Sequence, residues 1–272
     1  MHESIQAQYA TGLSRYNIER ALLAAGKDLA CLSLSDLGTL EDFHTMGRIA
    51  TAKLVDFLQI TRDTKVLDAG TGIGGTARYV ADRFGCAVTA VDLTRDYCDT
   101  GRWLNRLLGL DDRISVYEGD VADLPFGDHG FDVVISQHVQ MNIADKSRVY
   151  AEAHRVLAPG GRLALWDIAA GEADALEYPL PWANRPDRSH LWPAGELRAA
   201  VQSAGFRIDH WCDLSDEAAT LMQTLLAQPQ SALGLHAFVP DFGRKAANLT
   251  AALADGRLRA IQGIATAHPN RQ

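Results

Sequence analysis

A short apolar segment, Val66-Leu67-Asp68-Ala69, runs directly into Gly70-Thr71-Gly72-Ile73-Gly74-Gly75, and no other feature restricts the fold of this chain as much. Glycines at a strand-to-helix turn adopt backbone angles closed to other residues and let the main chain approach a ligand closely. The N–H groups that open the following helix favour an electronegative group. The spacing reads as GxGxxG through Gly70, Gly72 and Gly75, or as GxGxG through Gly70, Gly72 and Gly74. Neither spacing alone says which ligand is held.

The rest of the chain keeps a rhythm around this loop. Short apolar strands are expected over residues 65–69, 87–91, 114–117, 131–136 and 162–168, with helices over 76–84, 95–108 and 144–157. Strands of this kind, separated by helices, imply a parallel sheet covered on both faces. Upstream, apolar residues recurring at three and four predict helices over 18–31 and 43–58. Beyond 168 the rhythm changes: a Pro-, Trp- and Asp-rich stretch to 192 precedes helices over 194–204, 215–227 and 242–254, and strands over 206–211 and 258–266. No repeat or long linker divides the chain, so one domain is expected over 1–272. It comprises a helical N-terminal cap (1–60), a core carrying the glycine loop (61–168) and an insertion with C-terminal strands (169–272).

Composition removes several function classes. The formal charge is −8, against the basic face that nucleic-acid binding needs. No apolar run reaches the roughly 18 residues of a membrane span, and the first residues lack a signal peptide's basic start and apolar stretch. Cys31, Cys86, Cys98 and Cys212 are scattered, as expected for free or buried thiols of a reducing cytoplasm. Nine histidines show no metal-ligand spacing. Neither nucleic acid nor membrane is expected as a partner; at most, a second copy of the chain is.

Three acids narrow the ligand. Asp92 closes the second strand, where a carboxylate can accept from both hydroxyls of a ribose, a group shared by NAD and S-adenosylmethionine (SAM). Asp68, two residues before the first glycine, would repel a pyrophosphate but suits the ammonium of a methionine-like moiety. Asp120, in Gly119-Asp120-Val121 after the third strand, can accept from an adenine amino group while Val121 packs on the ring. Leu157-Ala158-Pro159-Gly160-Gly161-Arg162 reads as a tight turn into the fifth strand, and Trp103 and Trp166 read as core.

With these motifs in order, VLDAGTGIGG, AVTAVD, GDVADLPF, FDVVISQHV and RVLAPGGRL, residues 43–212 resemble the class I SAM-dependent methyltransferases. The resemblance implies a Rossmann-like doubly wound sheet of seven strands in the order 3-2-1-4-5-7-6, the last strand antiparallel. It also implies that Asp68, Gly70, Thr71, Gly72 and Gly74 shape the methionine end. Asp92, with Leu93 beside it, would hold the ribose. Asp120 and Val121 would hold adenine, and Gln137 would lie beside the sulfonium. SAM is then the cofactor and S-adenosyl-L-homocysteine the product.

The acceptor should stand just past the fourth strand, at Ser136-Gln137-His138-Val139-Gln140-Met141-Asn142. This segment resembles that of the sarcosine/dimethylglycine, phosphoethanolamine and tocopherol methyltransferases. Asparagine at 142 is the choice of the quinone-biosynthesis C-methyltransferases. Asn142 can orient an acceptor but cannot take a proton; His138 is the candidate base, with a plain wall residue as the alternative. His44 or Arg48 is expected to approach the methionine carboxylate or the substrate. Tyr9 and Tyr16 are candidates for a lid or for packing. Trp182, in the 177–192 insertion with Arg185 and Arg188, is expected over the acceptor. Methyl transfer from a sulfonium needs no metal. Two other readings stay open: an NAD(P)-linked oxidoreductase and a non-catalytic SAM-binding protein.

Overall fold

The computed structural model describes Tyr9 and residues 12–172, 175–229 and 231–268. Seven strands form one sheet: β1 (Val66–Ala69), β2 (Val88–Asp92), β3 (Ile114–Glu118), β4 (Phe131–Gln137), β5 (Leu157–Ala170), β6 (Phe206–Asp213) and β7 (Leu258–Ala267). Their order is β3-β2-β1-β4-β5-β7-β6, the order implied by the resemblance. Pairing is parallel from β3 through β5, and β7 runs antiparallel to both of its neighbours. Nine α-helices lie among the described residues. The first five are α1 (Ser14–Ala24), α2 (Leu34–Glu41), α3 (Arg48–Val55), α4 (Gly75–Phe84) and α5 (Arg95–Leu107). The others are α6 (Lys146–Val156), α7 (Ala194–Ser203), α8 (Ser215–Leu226) and α9 (Phe242–Ala254).

Alternate strand residues feed two cores, because successive Cβ atoms leave a sheet on opposite faces. Val66, Val133, Ala164 and Trp166 join one cluster with α3, α4 and α9; Leu67, Val134, Leu163 and Leu165 join the other with α6 and α7. β1 is buried along its whole length between β2 and β4, so it reads as an unbroken apolar run. A third cluster sets Ile18, Leu22, Leu37 and Leu40 of the N-terminal cap against Trp103 and Leu104 of α5.

The cap and the fifth strand differ from the sequence expectation. The helix expected over 18–31 ends at Ala24, and a 3₁₀ turn, Leu29–Cys31, follows with Asp28 accepting from Ala30 N–H at 3.0 Å. The helix expected over 43–58 shrinks to α3, because Met46 and Gly47 adopt positive φ, while α2 forms upstream of it. The start of α2 carries a local signal that periodicity passes over: the Asp36 carboxylate accepts from Ser33 N–H at 2.9 Å. β5 begins at Leu157, which already pairs with Phe131. The expected turn is an irregularity inside the strand, and Arg162 resumes the register opposite Val133.

A buried ion pair fastens the cap to the helix after the glycine loop. The Arg78 guanidinium of α4 donates Nε to Glu41 Oε2 at 2.8 Å and Nη1 to Asn105 Oδ1 at 3.0 Å, with both side chains of the pair fully buried. Glu41 is shared with Arg48, which also donates to Asp42 at 2.8 Å. Removing one partner of such a pair strands the other's charge, so Arg78→Met is expected to lower the unfolding free energy by about 3–5 kcal/mol. The double variant Glu41→Met/Arg78→Met should recover much of that loss. Chemical denaturation of both variants checks this, and a double variant no more stable than the single one would contradict it.

Candidate active site

The strand order reverses at β1, which has β2 on one side and β4 on the other, and ligands of open α/β sheets bind at the carboxyl ends of such strands. A cleft of about 1100 Å³, open mouth included, lies there. Its walls take Asp68, Gly70, Thr71 and Gly72 from the end of β1 and the glycine loop, and Asp92 and Leu93 from the end of β2. Asp120 and Val121 come from the segment after β3, and Gln137, His138 and Asn142 from the end of β4 and beyond. His44 and Trp182 close the other side; of the residues named from sequence, Gly74, Tyr16, Arg48, Arg185 and Arg188 are not in the wall.

Three glycines of the loop answer three different demands. A Cβ on Gly70, at φ +85°, would stand 2.2 Å from Val139 Cγ2, so the glycine lets the chain after β4 cross the loop. Gly74, at φ +94°, has Arg78 Nη1 2.9 Å from where a Cβ would lie; its task is packing under α4. Gly72, at φ +58°, has nothing within 4 Å of that position, so its missing side chain leaves room in the cleft.

Two carboxylates brace this loop from below. Asp92 Oδ2 accepts from Gly72 N–H and Oδ1 from Thr94 N–H, both at 2.8 Å. Asp68 Oδ2 accepts from Thr71 Oγ1 at 2.5 Å. Burial pushes Asp92 up to about 6 and Asp68 up to about 7, although hydrogen bonds to each carboxylate pull the other way.

The far side of the cleft is organised by residues that sequence reading passed over. Asp167, buried in β5, accepts from Val139 N–H at 3.1 Å, Gln140 N–H at 3.0 Å and Ile168 N–H at 2.9 Å. It thereby shapes the turn that carries His138 and Asn142. An acid inside the apolar run Leu163-Ala164-Leu165-Trp166-Asp167-Ile168 was the available signal. Thr45 sits between Trp166 and His138: its hydroxyl accepts from Trp166 Nε1 at 3.0 Å and meets His138 Nε2 at 3.0 Å. The Thr45 N–H also donates to His138 Nε2, at 3.3 Å. Since a backbone N–H only donates, Nε2 is an acceptor, the imidazole is neutral and its proton sits on Nδ1. Burial, with His44 nearby, holds the His138 pKa well below 6.5. His138 itself adopts φ +54°.

A second chain of hydrogen bonds sets Gln137 and His44. Gln137 Nε2 donates to Thr76 Oγ1 at 2.7 Å and to Thr51 Oγ1 at 3.2 Å, and Thr51 Oγ1 meets His44 Nε2 at 3.2 Å. Gln137 Oε1 is buried with no partner among the described residues. Asn142 Oδ1 accepts from the Tyr9 hydroxyl at 3.0 Å, so Tyr9 belongs to the cleft, whereas Tyr16 is exposed. Phe43, Met141, Pro181 and Phe238 complete the wall. The arginines named from sequence turn away: Arg48 pairs with Glu41 and Asp42, and Arg185 and Arg188 with Asp187. Trp182 reaches the cleft from the insertion, with Nε1 donating to Ser189 Oγ at 2.9 Å. Among the described residues, no three His, Cys, Asp or Glu side chains gather as a metal site, and no helix is long and apolar enough to cross a membrane.

Comparison with known proteins agrees with this geometry. Residues 67–165 match the family model of the methyltransferase domain. The glycine/sarcosine/dimethylglycine N-methyltransferase of Actinopolyspora halophila is 33% identical over 176 residues, 65% of this chain and 31% of that protein. The sarcosine/dimethylglycine N-methyltransferase of Halorhodospira halochloris is 39% identical over 109 residues, 40% of this chain and 39% of that protein. The chain thus spans less than two-fifths of the length of either relative. In structure it is similar to the geranyl diphosphate C-methyltransferase of Streptomyces coelicolor A3(2), solved in complex with Mg2+, geranyl diphosphate and S-adenosyl-L-homocysteine. The TM-score is 0.67 at 19% identity, covering 81% of this chain and 78% of that one. The two share a Rossmann-like fold.

The glycines separate packing from ligand space. Gly70→Ala meets both Val139 and a left-handed backbone and should cost about 3 kcal/mol of stability. Gly72→Ala, strained but unobstructed, should cost only about 1–2 kcal/mol. Chemical denaturation of the two variants decides it, and equal losses would contradict the distinction.

Proposed function

We propose that this chain, as a single domain, is a class I SAM-dependent methyltransferase acting on a small-molecule acceptor without a metal. One observation carries the reading: the cofactor side of the cleft presents Asp68, Asp92 and Asp120, and among the described residues no lysine or arginine lines the cleft at all. Carboxylates at those places suit the hydroxyls, amino group and cationic centres of SAM. They would repel the pyrophosphate of a dinucleotide, which argues against the oxidoreductase reading. The space above Gly72 and the partnerless Gln137 Oε1 also fit a bound group.

In this reading Asp92 accepts from the ribose hydroxyls, with Leu93 beside it. Asp120 and Val121 hold the adenine, and Asp68 keeps Thr71 and the loop in place at the methionine end. When bound, SAM supplies a methyl group on a sulfonium that leaves as a neutral thioether and needs no acid. The residues of this chain then have to align the acceptor and exclude water. Trp182, His44 and Asn142 form the acceptor side. His138 serves there as a neutral donor through Nδ1–H, not as a base: its Nε2 is engaged by Thr45, and its pKa lies well below 6.5.

Asp92→Ala should weaken SAM binding by about 1.5–3 kcal/mol, through loss of charge-assisted hydrogen bonds. Titration calorimetry should find SAM and S-adenosyl-L-homocysteine binding to the unsubstituted protein and no binding of NAD or NADP. NAD binding without SAM binding would sink the proposal.

The raised carboxyls also give a pH signature. In the unliganded fold Asp68 and Asp92 keep protons, to about 7 and about 6, that the unfolded chain has released. That contribution to stability is complete below the ordinary carboxyl range and fades as pH rises through about 6 to 7. A ligand whose hydroxyls donate to Asp92 prefers the carboxylate, so SAM affinity should rise between about pH 5 and 7.5, with proton release on binding. Calorimetry in two buffers of different ionisation enthalpy measures both; an affinity flat across that range would contradict the assignment.

A further inference from the structure

The cleft has a second half, beyond Gln137, whose character is separable from its cofactor side. Its apolar wall is Phe43, Met141, Trp182 and Phe238. Its polar groups include His44, His138 and Asn142; the His138 imidazole is neutral because Nε2 accepts from Thr45 N–H, and burial lowers the basicity of His44.

Arg48, Arg188 and Lys146 are each committed elsewhere. Arg48 is held by Glu41 and Asp42, and Arg188 by Asp187. Lys146 donates to the carbonyls of Ile143 and His190 and lies over the Trp192 ring at 5.0 Å. None of the three lines the cleft. A carboxylate or phosphate entering here would lose its water without gaining a counter-ion, which is unfavourable.

What the wall does offer is donors. His138 Nδ1–H has no partner among the described residues, and Asn142 Nδ2 makes only a long 3.4 Å bond to Val139 O. Asn142 Oδ1 is already taken by the Tyr9 hydroxyl at 3.0 Å. Two donors set between aromatic and sulfur-containing walls match an oxygen on an apolar skeleton.

We propose that the acceptor half of this cleft binds an uncharged, largely apolar alcohol or phenol, its oxygen accepting from His138 Nδ1–H while the hydroxyl keeps its own proton in the complex. The inference rests on the methyltransferase reading. It departs from the amino-acid acceptors named for the similar N-methyltransferases, each of which brings a carboxylate.

The test uses the full chain, unloaded and saturated with S-adenosyl-L-homocysteine, titrated calorimetrically at neutral pH. The probes are 1-naphthol, 1-naphthoate, 1-naphthyl phosphate and sarcosine. The expected result is 1-naphthol binding at least about tenfold more tightly than either naphthalene anion, with no binding of sarcosine. Phe43→Arg, which supplies the missing cation, should raise 1-naphthoate affinity by about fivefold or more while the protein still unfolds cooperatively. If the variant does not fold, the probe series on the unsubstituted protein decides alone. Anions binding as well as 1-naphthol, sarcosine binding, or no probe binding would each overturn the proposal. Failure of S-adenosyl-L-homocysteine to bind would instead strike the methyltransferase reading. The naphthalene series on unloaded protein would then still report the character of the wall.

Discussion

The site depends on one close crossing, where the chain leaving β4 passes over the glycine loop leaving β1. Val139 lies where a Cβ on Gly70 would be, so only glycine permits the two segments to share that space. Both are pinned from outside the crossing. Gly70 and Thr71 donate their N–H groups to Val91 O at 2.8 and 2.9 Å, and Val139 and Gln140 donate theirs to Asp167. The crossing sets the floor of the cleft and joins its two halves. One half is built from β1, β2 and the segment after β3; the other comes from the end of β4, the cap and the insertion.

Burial gives those halves their electrostatics. Low-dielectric surroundings raise the carboxyls of Asp68, Asp92 and Asp167 and lower the basicity of His44, His138 and Lys146. The unliganded cleft therefore carries less charge than its residue types suggest. The fixed hydrogen bonds matter more: Thr45 assigns the tautomer of His138, and Thr51 and Thr76 take the amide hydrogens of Gln137. These partners come from the cap and from α4, so cap and sheet must be assembled before the cleft has its donors and acceptors in order. The buried Arg78–Glu41 pair supplies that attachment, reaching from α4 to the end of α2.

The cofactor half was legible because its signals are short-range. A strand, its glycines and the acid at the next strand's end lie within 27 residues, from Val66 to Asp92. Apolar runs bounded by glycines announce buried parallel strands, and family resemblance then implied the order found. The cap was less legible. Positive φ at Met46 and Gly47 interrupts an apolar spacing that continues undisturbed in the sequence, and α2 announces itself only through Ser33 and Asp36.

By itself, the sequence determined a doubly wound sheet with a glycine loop and acids at the strand ends, since these follow from local backbone freedom and periodic burial. It also named His138, Asn142 and Trp182, which the fold brings to one cleft, but not what each presents there. Only tertiary structure decided that Nε2 of His138 is an acceptor, because Thr45 lies 93 residues away in the chain. Likewise it decided that Asp167 shapes the turn 27 and 28 residues before it, that Tyr9 reaches Asn142, and that the arginines face away from the cleft. Charge and proton position in a buried site depend on which distant groups are folded against it, and residue spacing carries no record of that.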